Sequence, residues 1–199
     1  MNSLRELYVE ELKDLYSAEH QILKALPKMI KAASDRDLQR AFSQHEKQTQ
    51  RQVKRLERIF RQLGESPRGK RCRGMEGLLE EGSELIKEKP EPEVLNAGLI
   101  SAAQRVEHYE IAAYGTVRTY AEQLGHADQA SLLQETLDEE GETDKLLTTL
   151  AEGSINIEAE EAEGDEGDGM TGSGPRSGAR RRSRSGGRRS SRRATARSA

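Results

Sequence analysis

The sequence predicts an all-α fold, a four-helix bundle followed by a disordered C-terminal tail, and three observations predict it. Apolar residues recur at alternating three- and four-residue steps in four long segments, the pattern of helices that each bury one face. Aromatic residues make up only 4% of the 199 and Trp is absent, which suits a core of Leu, Ile and Ala better than a β-sandwich. Four of the five prolines stand at breaks between segments or in linkers, where helices end.

The elements follow in chain order. Ser3 caps a first helix that runs to about Ala33, with Leu4, Tyr8, Glu11, Leu15, Ile22, Leu26 and Met29 on its inner face. Pro27 lies inside it, removes a backbone donor and is expected to kink it. Ser34 and Asp35 make the turn. A second helix starts at Asp35 or Asp37 and stops near Leu63-Gly64, with Gly at the C-terminal cap and Pro67 beyond. Its stripe is Leu38, Phe42, Thr49, Val53, Leu56, Phe60 and Leu63. Residues 65–90 form a long connection: a basic turn (Arg68, Lys70, Arg71, Arg73), then a short helix from Met75 to Lys89 closed by Pro90 and Pro92. The third long helix runs from about Glu93 to Leu124, ending at Gly125; the fourth runs from about Ala127 to Ala151, ending at Gly153. Two antiparallel hairpins joined by one long crossover that carries a short fifth helix is the ferritin-like arrangement.

The bundle is expected to span residues 1–156 and the tail 157–199. Residues 158–168 contain seven acids, and residues 171–199 are Gly, Ser and Ala with ten arginines. The charge is therefore divided: −6 over residues 1–157, −7 in the acidic run and +10 in the arginine segment. Such a tail cannot bury enough apolar surface to fold. It attracts phosphate backbones non-specifically and in a salt-dependent way, but has no interleaved aromatics on which bases could stack. The single Cys72 excludes an internal disulfide and a cysteine-based zinc site, and suits a reducing cytoplasm. No run of about 18 apolar residues could span a membrane, and the start of the chain has no secretory hydrophobic region; the expected location is cytoplasmic.

The inner stripes carry chemistry. On the third long helix Leu99, Ala103, Glu107, Glu110, Tyr114, Val117, Ala121 and Leu124 share one face, so two carboxylates lie within it. Glu19 falls on the first stripe, four after Leu15 and three before Ile22; His45 and Glu46 straddle the second; Glu140 and Asp144 step with Leu133, Leu137, Leu147 and Ala151 on the last. A buried unpaired carboxylate is expensive, so such groups are paired, protonated or bound to metal. Glu19, His45, Glu46, Glu107, Glu110, Glu140 and Asp144 are thus the candidate ligands. Carboxylates with a few imidazoles suit iron or manganese, and Glu107-x-x-Glu110 has the three-residue spacing of a di-metal bundle site. Glu140-x-x-Thr143 lacks it, with Asp144 a turn away as substitute. Adjacent residues cannot point the same way, so one of His45 and Glu46 is expected to bind. The bland alternative is a set of buried polar contacts that fix the register of the bundle.

Several runs resemble a known family: Tyr16-Ser17-Ala18-Glu19, Arg55-Leu56-Glu57-Arg58-Ile59-Phe60, Cys72-Arg73-Gly74-Met75-Glu76-Gly77-Leu78, Glu135-Thr136-Leu137-Asp138-Glu139-Glu140 and, above all, Val106-Glu107-His108-Tyr109-Glu110-Ile111-Ala112-Ala113-Tyr114-Gly115-Thr116. They are similar to the YciF-like stress proteins of the ferritin-like superfamily, over about residues 4–152. The resemblance implies a ferritin-like fold, a homodimer and a di-iron centre, with Glu19, Glu107, Glu110 and Glu140 as its residues. The family usually reads His-x-Glu-x-Thr on the second helix; here the run is His45-Glu46-Lys47-Gln48-Thr49, with Lys47 in the acid's place.

Two function classes follow. In the first, Fe(II) binds between the carboxylates and is oxidised by peroxide or oxygen; Glu107 and one second-helix acid bridge, and Glu19, Glu110 and Glu140 are terminal. In the second, the bundle is non-enzymatic, its acids hold a vestigial or structural site, and the arginine tail tethers it to nucleic acid or a protein partner.

Overall fold

The computed structural model describes residues 1–165. Every regular element among them is helical: α1 (Leu4–Ala32), α2 (Arg36–Leu63), α3 (Arg73–Glu88), α4 (Pro92–Gln123), α5 (Ala127–Leu150), a π-helical turn (Ala151–Ile155) and α6 (Asn156–Asp165). No helix among the described residues is long and apolar enough to cross a membrane.

Local chemistry sets the helix ends. The Ser3 hydroxyl accepts the Glu6 N–H at 3.1 Å while the Glu6 carboxylate takes the Asn2 N–H at 2.6 Å, satisfying two donors that a helix start would otherwise leave open. Asp35 caps α2 through the Leu38 N–H at 2.7 Å. Gly64 closes α2 with φ 68°, a left-handed conformation open to Gly without penalty. The link from α1 to α2 is three residues long and leans on α4: Asn96 accepts the Ser34 N–H at 2.9 Å and donates to the Ser34 hydroxyl at 2.8 Å. Helix α1 continues through Pro27 to Ala32.

Helices α1, α2, α5 and α4 pack as a ring, each against the next, and α3 lies across α4 and α1. At the contact of α3 with α4, Gly98 makes room for Leu85, whose Cδ2 would lie 2.5 Å from a Cβ at that position and would have to turn aside.

The core has two apolar halves. Tyr8, Leu12, Leu15, Leu56, Phe60, Tyr114, Val117 and Leu133 form one; Ile22, Leu26, Phe42, Leu99, Val106 and Leu147 belong to the other. On every long helix the residues between the two halves include buried polar ones: Glu19 on α1, His45, Thr49 and Gln52 on α2, Glu107 and Glu110 on α4, and Thr136, Glu140 and Thr143 on α5. One polar layer thus crosses the middle of the bundle.

The end of the bundle differs from the sequence expectation. Gly153 does not stop the last helix; the π turn carries the chain on, and residues 157–165 of the expected disordered tail are helical. Ala151 and Ile155 belong to the core half that holds Leu99 and Leu147, with Ile155 1% exposed. That burial anchors a Glu- and Ala-rich run of good helix formers, so a boundary at 156 falls inside a helix. The remainder of the tail, from 166, lies outside the described residues.

Candidate metal centre

The polar layer places side chains from three of the four long helices around one point. One ligand atom each from His45, Glu107, Glu110 and Glu140 lie within 4.8 Å of one another, and all four residues are buried. His45 Nε2 is 3.4 Å from the Glu107 Oε1 and Nδ1 is 3.9 Å from the Glu140 Oε2, neither aligned as a hydrogen bond. Glu19, 0% exposed, stands beside the group and accepts a short hydrogen bond from the Tyr114 hydroxyl. Gln52, also fully buried, donates through Nε2 to Glu140 and, at 3.1 Å, to Glu139. Arg55 then holds Glu139 at 2.7 and 3.0 Å, neutralising that outer carboxylate and none of the inner ones.

Burial dominates the electrostatics. It raises the carboxyls of Glu19, Glu107 and Glu110 well above the usual range, and the charge of neighbouring glutamates adds to the effect. It pushes Glu140 up to about 7, with the Glu139 charge adding to the effect and the hydrogen bond from Gln52 opposing it. It drives His45 down to about 4, leaving the imidazole neutral, the form that binds metals.

Nine buried side-chain atoms among the described residues have no hydrogen-bond partner, and eight of them belong to this layer: one oxygen each of Glu19, Glu107 and Glu140, both of Glu110, both His45 nitrogens and the Gln52 Oε1. Native interiors leave few such groups unmet, and eight in one layer, around a group of four whose ligand atoms lie within 4.8 Å of one another, mark a place a cation could fill.

The residues fit one. Ligands on a single ion at about 2.1 Å lie within about 4.2 Å of each other, so a group spanning 4.8 Å needs only slight closure. Carboxylates with an imidazole are hard donors suited to iron or manganese. The four inner glutamates, fully ionised, balance two divalent charges.

Two expected ligands lie elsewhere. Glu46 is half-buried and outside the group, and Lys47 is exposed, so α2 supplies an imidazole and an amide but no acid. Inward positions on α2 run 45, 49, 52 and 56, which turns Glu46 aside and sends residue 47 to solvent. Asp144 stands on the rim, 3.3 Å from the exposed His108 and 3.0 Å from the Gln104 amide. Thr143 and Leu147 fill the inner face there. The sequence reading missed Gln52, although it stands three after Thr49 and four before Leu56 on the same stripe. Tyr114 stands on the inner stripe as expected, and its hydroxyl donates to Glu19.

Cys72, in a basic loop by sequence, is fully buried and caps α3, its sulfur 3.4 Å from the Met75 N–H and 3.0 Å from the Tyr109 hydroxyl. Burial raises its thiol, so the basic neighbours do not activate it.

Fold and site together define an all-helical protein with a buried carboxylate–imidazole cluster. The chain belongs to the family described as a domain of unknown function, DUF892, which matches residues 3–160. It is 44% identical over 161 residues to Protein YciF of Escherichia coli (strain K12), covering 80% of this chain and 97% of that one. The crystal structure of the E. coli stress protein YciF matches with a TM-score of 0.76 at 43% identity, over 78% of this chain and 99% of that chain. YcfI from Rhodopseudomonas palustris matches at 0.73 and 42% identity, over 75% and 95% of the two chains. A Xanthomonas campestris protein at 22% identity shares the fold, with a TM-score of 0.63 over 80% and 98%.

Proposed function

We propose that this protein is a ferritin-like stress protein whose bundle holds two divalent ions, iron or manganese, in the polar layer. The observation that carries this reading is the buried group of His45, Glu107, Glu110 and Glu140, whose ligand atoms lie within 4.8 Å of one another in a layer with eight unpartnered buried polar atoms. Glu19 has one oxygen taken by Tyr114 and Glu140 has one taken by Gln52, so each would offer a single free oxygen. Glu110, with both oxygens free, and Glu107, with Oε1 beside His45, would hold the ions together with the imidazole. When bound, iron would supply one-electron chemistry toward peroxide or oxygen, with Fe(II) as the substrate. The protein's own part is to exclude water, present a neutral imidazole and release the carboxyl protons as the ions bind.

Titration of chelator-stripped protein with Fe(II) under anaerobic conditions, and separately with Mn(II), tests this. Two equivalents should bind to the parent, and fewer to Glu107→Ala and Glu140→Ala. Parent protein that takes up neither metal, or variants that match it, would end the reading.

A second reading concerns the ten arginines of residues 171–199. We propose that this segment tethers the bundle to nucleic acid through phosphate contacts, independently of the metal centre.

A further inference from the structure

The crossover between α2 and α4 leaves a cleft of about 690 Å³ bordered by α1, α3 and residues 67–71. Five lysines and arginines line it and no Asp or Glu does. In a bundle whose residues 1–157 carry −6, that is a local reversal of sign. Lys70 is paired with Asp14 at 3.5 Å and Arg71 with Glu76. Lys24, Lys28 and Arg68 have no ion-pair partner among the described residues. The rest of the lining is largely apolar and includes Met29, Leu78, Leu79, Ile86, Ala102 and Val106.

We propose that this cleft binds a single-headed anionic amphiphile. A carboxylate or phosphate head meets Lys24, Lys28 and Arg68, and an alkyl tail lies along Met29, Leu79 and Ile86. The volume is in the usual range for a small-molecule site, which is mostly apolar with a few convergent polar groups. An inorganic anion would satisfy the cations and leave the apolar lining wet; a neutral lipid would cover that lining and leave the cations unused. Only a molecule with both parts answers both. Ala25, Met29, Leu79 and Val106 also border a void of about 20 Å³ that touches His45 and Glu107. The tail therefore lies one side chain from the carboxylate cluster. The proposal does not depend on metal in that cluster.

Calorimetry on the full-length protein in moderate salt tests it with decanoate, decyl phosphate, decanol, acetate and inorganic phosphate as probes. One decanoate or decyl phosphate should bind per chain with Kd on the order of micromolar, and the tighter of the two identifies the head. Decanol, acetate and phosphate should bind at least roughly tenfold more weakly. K24E/K28E should weaken the anionic probes by roughly tenfold or more, and Leu79→Gln should weaken them by a similar factor. The arginine segment is present in every protein tested, so the differences between parent and variants report the cleft. Equal affinity for decanol and decanoate would overturn the proposal, as would unchanged binding in both variants. So would sedimentation showing a dimer that K24E/K28E dissociates while no probe binds the parent, because a second copy would then fill the cleft.

Discussion

Glu140→Gln should stabilise the metal-free protein at neutral pH and destabilise the metal-loaded one. Glu140 is fully buried, and burial lifts its carboxyl from 4.5 to about 7. Below pH 4.5 the group is protonated in folded and unfolded chains alike and makes no difference. As pH rises from 4.5 to 7 the unfolded chain ionises and the folded one does not, so stability falls by about 1.4 kcal/mol per pH unit. By pH 8 the loss reaches about 3 kcal/mol for this group alone, from the shift between 4.5 and about 7. Gln cannot ionise and still accepts the Gln52 amide, so the variant avoids the loss. In a domain of this size that corresponds to a melting temperature roughly 6–12 °C above the parent at pH 8, with the two proteins converging near pH 4.5. With saturating metal the order should reverse, because the parent alone keeps all its charged ligands. The assay is thermal unfolding followed by circular dichroism across pH 4.5–8, with chelator and with Mn(II). Identical melting of parent and variant at every pH in chelator would refute the reasoning, because burial would then not have raised Glu140.

Asn96→Ala should cost about 1 kcal/mol, since it removes the two part-buried hydrogen bonds that hold Ser34; denaturant titration measures it. Cys72 should resist an aromatic disulfide reagent at pH 8 in the native protein and react on unfolding, because the thiol is buried and its ionisation suppressed; prompt native reaction would contradict its place in the core. Deleting residues 171–199 should leave bundle melting unchanged and abolish retention of DNA or RNA in a gel-shift titration. Retention by the full-length chain should weaken steeply with salt, and equal retention by the truncated chain would remove the tether.

The helices were legible because burial in a bundle imposes a period that survives in the sequence. The same period placed Glu19, Glu107, Glu110 and Glu140 inward. It failed where two residues compete for one direction. His45 and Glu46 both border the α2 stripe, and only packing against α4 and α5 selects the imidazole. Asp144 is one turn from Glu140, but Thr143 and Leu147 occupy the inner face at that level and leave the acid on the rim. Gln52 was readable by spacing and passed over because an uncharged amide among apolar residues raises no alarm. The acidic run after Asn156 looked unfoldable by composition, yet buried Ile155 and the helix propensity of Glu and Ala carry the helix to Asp165.

Anomalous diffraction from crystals loaded with Mn(II) or Fe(II) tests whether the polar layer holds two metal ions. The account predicts two anomalous peaks roughly 3.5–4 Å apart, bounded by Glu19, His45, Glu107, Glu110 and Glu140. Crystals that take up metal at the surface and show no peak within this layer would contradict it.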